Sequence, residues 1–184
     1  MMIFLGGWTQ SPSDPADDNH GMFEIAIDMY HIGYDAWMYN ESSVQSDGTG
    51  TVYNEVMEAY SDRSVANIAI QGYSKGGGAT YDLVGALYDS DEDIEVKYSG
   101  YCDAVASATG WASEDRRPRG SLYHLNIYQT TGTIDGEPTE DLLAGDDEYC
   151  ADSWTPSVDH YTIDDDDQTE SYIKSKLAAK LSSR

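Results

Sequence analysis

Short apolar runs alternate along the chain with stretches in which apolar residues recur every three or four positions. The runs predict buried strands, and the stretches predict amphipathic helices that turn one face towards a core. The predicted strands cover 2–5, 34–39, 66–71, 96–102 and 122–128, and the predicted helices cover 22–32, 52–60, 80–88 and 165–181. Strand and helix therefore alternate through most of the sequence.

This alternation is typical of an α/β fold, because a helix that connects two strands of one sheet makes them parallel and covers a face of that sheet. We expect a three-layer sandwich with a central, mostly parallel sheet of about five strands and helices on both faces. The segments 104–120 and 130–158 show neither the short apolar runs of strands nor the three- to four-residue spacing of helices. We place both at the carboxyl edge of the sheet, where long loops often line a site.

Acidic residues dominate the charged positions. The chain of 184 residues has 34 acidic and 10 basic side chains, a net charge of −24, and the acids are spread along its length. At molar salt the Debye length falls to about 3 Å, so closely spaced carboxylates no longer repel one another strongly. The excess favours a halophilic protein over an acidic protein of an ordinary cytoplasm. Without a basic stripe to neutralise phosphates, nucleic acid is not an expected partner.

The sequence shows no membrane or export signal. Its apolar runs are far shorter than the ~20 residues that span a bilayer, and its first residues lack the basic start and apolar stretch of a signal peptide. We expect a cytoplasmic protein made of a single domain, 1–184. Cys102 and Cys150 match neither a C-x-x-C motif nor a metal-ligand cluster. Buried free thiols are expected, with a disulfide as the alternative if the fold joins them.

The segment 68–78 carries the most informative pattern, since an apolar run there breaks into the sequence Gly72-Tyr73-Ser74-Lys75-Gly76. This G-x-S-x-G pattern is typical of a nucleophile elbow, a strained turn from a strand into a helix. Glycine is needed on both sides of the serine because a Cβ there would collide with the crowded backbone. The turn is expected to present Ser74 at the carboxyl edge of the sheet.

Three further segments extend this pattern in the order that the chemistry requires. They are Phe4-Leu5-Gly6-Gly7-Trp8, Tyr101-Cys102-Asp103-Ala104-Val105 and Asp159-His160. With the elbow, they make the chain resemble the small lidless α/β-hydrolases, close in plan to cutinase-like and other minimal serine esterases. The resemblance covers nearly the whole length. It implies a minimal α/β-hydrolase fold with strand order 2-1-3-4-5 and a triad in the chain order Ser, Asp, His.

The resemblance implies that Ser74 attacks an acyl carbon while His160 removes its proton. His160 precedes the last helix, where the family places its histidine. The other three histidines have structural interpretations, although one of them, His20, could reach the rim of the site; the three are His20, His31 and His124.

Two carboxylates compete to support His160. Asp103 directly follows the strand after the elbow helix, as in lipases whose acid comes from that strand. Asp135 follows the next predicted strand, as in most other members of the fold, but it lies well into a polar loop. We favour Asp103 and keep Asp135 as the alternative acid.

The oxyanion of a tetrahedral intermediate needs hydrogen-bond donors. The backbone N–H of Lys75, the residue after the nucleophile, is one candidate. The family's opening loop supplies the other, which falls on the N–H of Trp8, with Gly7 as its neighbour. This sequence has glycine where the family usually has histidine, which weakens the comparison for this loop but leaves its backbone donor intact.

Aromatic residues cluster in segments that are expected to reach the same edge. Tyr73, Trp111 and Tyr161 are candidates for a substrate-binding wall, and Trp8 and Trp154 could extend it. Core packing is the alternative for each one.

Two charged clusters have structural interpretations. Arg116, Arg117 and Arg119 are expected to form ion pairs with nearby acids rather than to bind an anionic substrate. The acidic run 164–167 lacks the glycine and glutamate of a calcium loop and is interpreted as the start of a helix. We expect neither a metal ion nor a cofactor.

The leading hypothesis is a serine esterase that cleaves small carboxylic esters with short to medium acyl chains through an acyl-enzyme on Ser74. An acyltransferase or thioesterase would use the same chemistry. A catalytically inactive binding or structural protein of this fold, or a flavodoxin-like binding domain, are the alternatives outside catalysis.

Overall fold

A single parallel sheet organises the molecule. The computed structural model describes residues 1–12, 21–107, 110–140, 150–155 and 157–181, without the side chain of Trp154. Within these residues six strands pair in the order β2-β1-β3-β4-β5-β6, and every pairing is parallel. The strands are β1 (Met2–Gly6), β2 (Ala36–Asn40), β3 (Asn67–Tyr73), β4 (Glu95–Cys102), β5 (His124–Tyr128) and β6 (Cys150–Trp154). The helices are α1 (Gly21–His31), α2 (Thr51–Arg63), α3 (Lys75–Tyr88) and α4 (Asp167–Leu181), with a 3₁₀ turn at Glu41–Ser43.

Both faces of the sheet are buried, which explains why β1 is apolar at every position before its final glycine. Met2 and Phe4 pack with α1 and α4 in one apolar cluster, whereas Ile3 and Leu5 pack with α2 and α3 in a second cluster on the opposite face. Alternate residues of a strand point to opposite faces, so a strand covered on both sides must be apolar throughout. The expected three-layer sandwich is confirmed.

The predicted order 2-1-3-4-5 is confirmed, and the structure adds a sixth strand. β6 pairs with β5 from His124↔Cys150 to Tyr128↔Trp154, inside the segment 130–158 to which the sequence pattern assigned no element. Its residues Cys-Ala-Asp-Ser-Trp include two polar side chains and show no clear alternation. A short strand at the edge of a sheet is buried less completely and carries a weaker apolar signal.

Helix α3 begins at Lys75, earlier than the predicted start at residue 80. Three consecutive glycines, 76–78, weaken the helical pattern because glycine is a poor helix former. Close packing explains their presence, since a Cβ on Gly77 would lie 2.2 Å from the Cβ of Ala104. The glycines therefore let the first turn of α3 approach the segment that follows β4.

The parallel arrangement brings the carboxyl ends of all the strands to one edge. The segments that leave this edge carry, in chain order, Trp8 after β1, Ser74 after β3, Asp103 after β4, Gln129 after β5 and His160 after β6. Sequence positions that are more than one hundred residues apart therefore meet at the same edge of the sheet.

Two other expectations concern the whole chain. Among the helices of the described segments, none combines the length and the apolar character needed to cross a membrane. Cys102 and Cys150 are both buried and do not form a disulfide, as expected from the sequence.

Candidate active site

Ser74 occupies a strained turn between β3 and α3. Its backbone angles are φ 52° and ψ −123°, a region that side chains rarely adopt and that is common at functional sites. A Cβ on Gly72 would lie 2.1 Å from the carbonyl oxygen of Gly76, and one on Gly76 would lie 2.1 Å from the carbonyl oxygen of Leu5. Glycine is therefore required on both sides of the turn, for the reason that the sequence pattern indicates.

A chain of two hydrogen bonds joins Ser74 to His160 and Asp103. The distance from Ser74 Oγ to His160 Nε2 is 2.8 Å, and the distance from His160 Nδ1 to Asp103 Oδ2 is 2.6 Å. All three side chains are buried. A carboxylate beside Nδ1 favours the tautomer that carries its proton there, which leaves Nε2 free to accept the proton of Ser74.

Tyr73 holds the loop that carries His160. The two rings stack with centroids 5.5 Å apart, and the Tyr73 hydroxyl donates to the backbone carbonyl of His160 at 2.5 Å. Burial raises the pKa of Tyr73 well above its ordinary value, with further contributions from nearby acids including Asp164 and Asp103. Its hydroxyl therefore stays protonated as a donor. Because Tyr73 is buried, most of its surface faces His160 and the protein interior rather than the open site.

Asp103 is held in place by residues that the sequence pattern did not single out. Gln129 Nε2 donates to Asp103 Oδ2 at 2.7 Å, and the Gln129 backbone N–H donates to Oδ1 at 3.3 Å. Gly136 lets this loop approach, since a Cβ there would lie 2.3 Å from Asp103 Oδ1. Asp135 lies in the same loop with its side chain exposed. Asp103, and not Asp135, therefore occupies the position beside His160.

Two backbone amides next to Ser74 are available as donors. Within the described residues, neither the Lys75 N–H nor the Trp8 N–H makes a hydrogen bond. The Gly7 N–H is already bound to Gln10 Oε1 at 2.8 Å. A Cβ on Gly7 would lie 3.1 Å from the Cβ of Ser74, so this loop passes directly beside the serine.

Three exposed aromatic side chains lie on segments that leave the carboxyl edge of the sheet, after β1, β4 and β6. Trp8, Trp111 and Tyr161 are 63%, 50% and 64% exposed. Trp8 and Trp111 meet edge to face with centroids 5.7 Å apart, and Tyr161 packs edge-on against His160 at 5.6 Å. We call these three residues the aromatic rim. Two further candidates from the sequence, His20 and the side chain of Trp154, lie outside the described part of the structure.

Lys75 contacts Trp111 of the aromatic rim and the loop that carries it. Its Nζ donates to the carbonyl oxygen of Ala106 at 2.9 Å and to that of Gly110, and it lies 5.5 Å from the centroid of Trp111. Burial lowers the pKa of Lys75, and the nearby Glu41 opposes this effect. The residue after the serine thus also positions the loop after β4.

The arginine cluster forms ion pairs at two of its three members. Arg116 binds the buried carboxylate of Glu114 through two nitrogens, at 2.8 and 2.6 Å, and Arg119 pairs with Asp89. Arg117 instead donates to the carbonyl oxygen of Ser121 at 3.3 Å. The side-chain hydrogen bonds of Arg116 and Arg117 therefore stay within the loop after β4, and the Arg119 pair joins this loop to the end of α3.

A cleft with a volume of about 720 Å³ lies at the opposite edge of the sheet, beside Asp35, Arg63 and Lys97. It contains none of the residues around Ser74. We place the candidate active site at Ser74 because the strained turn and the hydrogen-bond chain are there.

Comparisons with known proteins agree with this fold. No family model matches the chain, and no curated protein matches it. A variant of SOBER1 from Arabidopsis thaliana is 14% identical with a TM-score of 0.58, over 98% of this chain and 99% of that one. XC6422 from Xanthomonas campestris is described as an α/β serine hydrolase without a lid. It is 11% identical with a TM-score of 0.56, and the match covers 98% of this chain and 81% of XC6422. A predicted CIB-like hydrolase from Thermoplasma acidophilum is 16% identical with a TM-score of 0.56, and the match covers 97% of this chain and 86% of that one.

These identities are low, so the likeness is one of fold. The six-stranded parallel sheet, its strand order and its covered faces all agree with it. The chain has the α/β-hydrolase fold, as it occurs in serine hydrolases without a lid.

Proposed function

We propose that this protein is a serine hydrolase that cleaves small carboxylic esters with short to medium acyl chains. The hydrogen-bond chain from Ser74 through His160 to Asp103 carries the proposal, because each distance is short enough for proton transfer or for support of a charged imidazole. A hydroxyl is a poor nucleophile without such a base. The strained φ of Ser74 and the two unbound amides beside it support the same conclusion.

In the proposed reaction, Ser74 Oγ attacks the ester carbon while His160 Nε2 takes its proton. Asp103 stabilises the imidazolium that results. The negative oxygen of the tetrahedral intermediate accepts hydrogen bonds from the N–H groups of Lys75 and Trp8. His160 then gives its proton to the leaving alcohol, and a water molecule activated by the same nitrogen hydrolyses the acyl-enzyme and restores Ser74.

The aromatic rim is the proposed contact for the apolar part of the ester. Trp8 and Trp111 place exposed rings against each other, and Tyr161 places an exposed ring against His160. Such rings bind apolar groups by burying surface area, each apolar Å² contributing about 25 cal/mol. Because the three rings are exposed and offer a small apolar surface, they would cover a short or medium chain more completely than a long one.

Replacing Ser74 by Ala tests the proposed function. The Ser74→Ala variant should lose ester hydrolysis by at least about 10⁴-fold and lose covalent labelling by a fluorophosphonate, because both need the Oγ nucleophile. Hydrolysis of p-nitrophenyl esters of increasing chain length, measured in concentrated salt, gives the rate and the chain preference. Ser61→Ala, an exposed serine on α2, is the matched control and should keep both activities. Labelling of Ser74→Ala at the wild-type rate would contradict the proposal.

A further inference from the structure

A buried polar bridge connects the loop of Trp8 to the loop of His160. Gln10 Nε2 donates to Asp164 Oδ2 at 2.9 Å. Both side chains are buried, and Asp164 is only 1% exposed. A carboxyl group buried in this way is unfavourable unless hydrogen bonds satisfy its oxygens. Neither residue belongs to the hydrogen-bond chain of Ser74, His160 and Asp103.

Gln10 closes the turn that presents the Trp8 amide. The Gln10 backbone N–H donates to the Gly7 carbonyl at 3.0 Å, and Gln10 Oε1 accepts from the Gly7 N–H at 2.8 Å. Trp8 and Thr9 form the corner of this turn, whose own hydrogen bond joins Gln10 to Gly7 and does not use the Trp8 N–H. Thr9 has a φ of 74°, which is unfavourable for a β-branched residue. The turn therefore depends on the contacts of Gln10 to keep its shape.

Asp164 fixes the orientation of the Gln10 side-chain amide. An amide can rotate to exchange its oxygen and nitrogen, and only one orientation lets the oxygen accept from Gly7. Asp164 Oδ2 accepts from the Gln10 nitrogen, a hydrogen bond that the neutral carboxyl group also keeps through its carbonyl oxygen, and this bond holds the orientation in which the Gln10 oxygen faces Gly7. The backbone N–H of Gly21, at the start of α1, lowers the pKa of Asp164.

We propose that Asp164 and Gln10 are positioning residues for the hydrolysis proposed above, because together they aim the Trp8 N–H at the oxyanion beside Ser74. This inference rests on the proposed function, since the oxyanion forms only if Ser74 attacks an acyl carbon. Asp164 lies on the same loop as His160. One carboxylate thus joins the loop of the base to the loop of the oxyanion donor.

Removing the side-chain amide should slow the chemical step. Gln10→Leu keeps a similar volume but loses both side-chain hydrogen bonds. We expect kcat to fall by about 10²-fold, the usual effect of one oxyanion donor, with KM changed by less than about threefold. A change confined to kcat is expected because the oxyanion exists only in the transition state and the intermediate.

Exchanging the hydrogen-bond donor and acceptor between positions 10 and 164 distinguishes a positioning role from a role in packing alone. Gln10→Glu alone places two carboxyl groups in contact, so the pair needs a shared proton and the rate should fall as pH rises. The double variant Gln10→Glu with Asp164→Asn restores one donor and one acceptor in reversed order. Its kcat should recover to within about fivefold of the wild type and lose that pH dependence.

The surroundings of Asp164 affect the pH range of this measurement. Burial, with a smaller contribution from Asp165, raises the pKa of Asp164 to about 8, although the hydrogen bond from Gln10 lowers it. The Tyr73 hydroxyl and the Cys102 thiol are the other titratable groups that interact with it. Burial raises the pKa of each, so both remain neutral near pH 8. The pH dependence that tests the pair is therefore the difference between the profile of each variant and that of the wild type from pH 6 to pH 9, because the other ionisable groups of the site are common to both.

Two control variants repeat these substitutions at exposed positions of α4. Gln168→Leu and Asp167→Asn should leave kcat and KM unchanged. If the wild type neither hydrolyses esters nor reacts with a fluorophosphonate, the proposed function fails. If the wild type is active but Gln10→Leu keeps its kcat, or if the double variant stays as slow as Gln10→Glu, the inference about Gln10 and Asp164 is overturned. If Gln10→Leu does not fold, the double variant decides.

Discussion

His124 is a buried imidazole that must stay neutral in the folded protein. Ser121 Oγ donates to the Tyr123 carbonyl and Ser99 Oγ donates to Ser121 Oγ, so Ser99 Oγ is left to accept from His124 Nδ1–H at 2.8 Å. The Nε2 atom is buried and has no hydrogen-bond partner among the described residues. A proton on Nε2 would therefore bury an uncompensated charge.

This environment should make the protein sensitive to acid. Burial lowers the pKa of His124 from 6.5 to about 3, with a smaller contribution from Arg117. As pH falls below 6.5 the unfolded chain takes up a proton that the folded protein does not. The free energy of unfolding should therefore fall between pH 7 and pH 5 by about 2 kcal/mol more in the wild type than in His124→Gln. Urea unfolding at several pH values measures this difference.

The exposed His31 on α1 offers the control for this measurement. His31→Gln makes the same substitution at the surface, and its free energy of unfolding is measured at the same pH values for comparison. If the free energy of unfolding changes equally with pH in His124→Gln and in the wild type, the prediction is contradicted.

Single residues at the site were predictable where a motif or a loop position marked them. Ser74, Asp103 and His160 each follow a strand at the same edge, and the G-x-S-x-G pattern singled out the first. Gln129 and Gln10 were not found, because their importance depends on side-chain hydrogen bonds to Asp103 and Asp164. Nothing in the local sequence around a glutamine marks a partner that lies 26 or 154 positions away.

At the scale of elements, the turn from β3 to α3 tolerates no side chain at its glycines. Gly72→Ala would place a Cβ 2.1 Å from a backbone carbonyl oxygen, so we expect a loss of at least about 3 kcal/mol in the free energy of unfolding or a displaced Ser74. Both outcomes should reduce the rate of fluorophosphonate labelling. Denaturant unfolding and labelling kinetics on the same sample measure the two effects.

Gly85 provides a matched substitution within α3. No atom lies within 4 Å of a Cβ built at this position, and alanine is a better helix former than glycine by about 1 kcal/mol. Gly85→Ala should therefore leave labelling unchanged and keep or raise stability. A Gly72→Ala variant that behaves like Gly85→Ala would show that the turn is not as constrained as the distances indicate.

The core elements were predictable because burial gives them a strong pattern. β1, β3 and β4 are covered on both faces, and α1 shows a clear apolar stripe through Met22, Ile25 and Met29. The edge strand β6 was not predictable because polar residues interrupt its apolar pattern. The first turn of α3 was not predictable because it contains consecutive glycines. In both cases tertiary contacts override the local preference.

At the scale of the whole molecule, the acids far outnumber the cations that could pair with them. With 34 acidic and 10 basic residues, most carboxylates have no cation to offset them, and the exposed pairs such as Arg63 with Asp35 contribute little. Repulsion between like charges destabilises a compact state. We propose that the protein is adapted to concentrated salt.

Melting measurements in a salt series test this proposal. Raising KCl from about 0.1 M to about 2 M shortens the Debye length from about 10 Å to less than 3 Å, so the melting temperature should rise by several degrees or more. Sucrose at matched osmolality, which screens no charge, serves as the control. A melting temperature that does not change with KCl would contradict halophilic adaptation.

The placement of β1 at the centre of the sheet has a consequence for the order of assembly. β1 pairs with β2 on one side and with β3 on the other, so it cannot complete its hydrogen bonds until the chain has continued through two helices. His160 arrives later still, on the loop after β6. Such distant pairings slow folding, because long loops must close before contacts form. During synthesis Ser74 is added 86 residues before His160, so the growing chain carries the nucleophile for a time without the base that activates it.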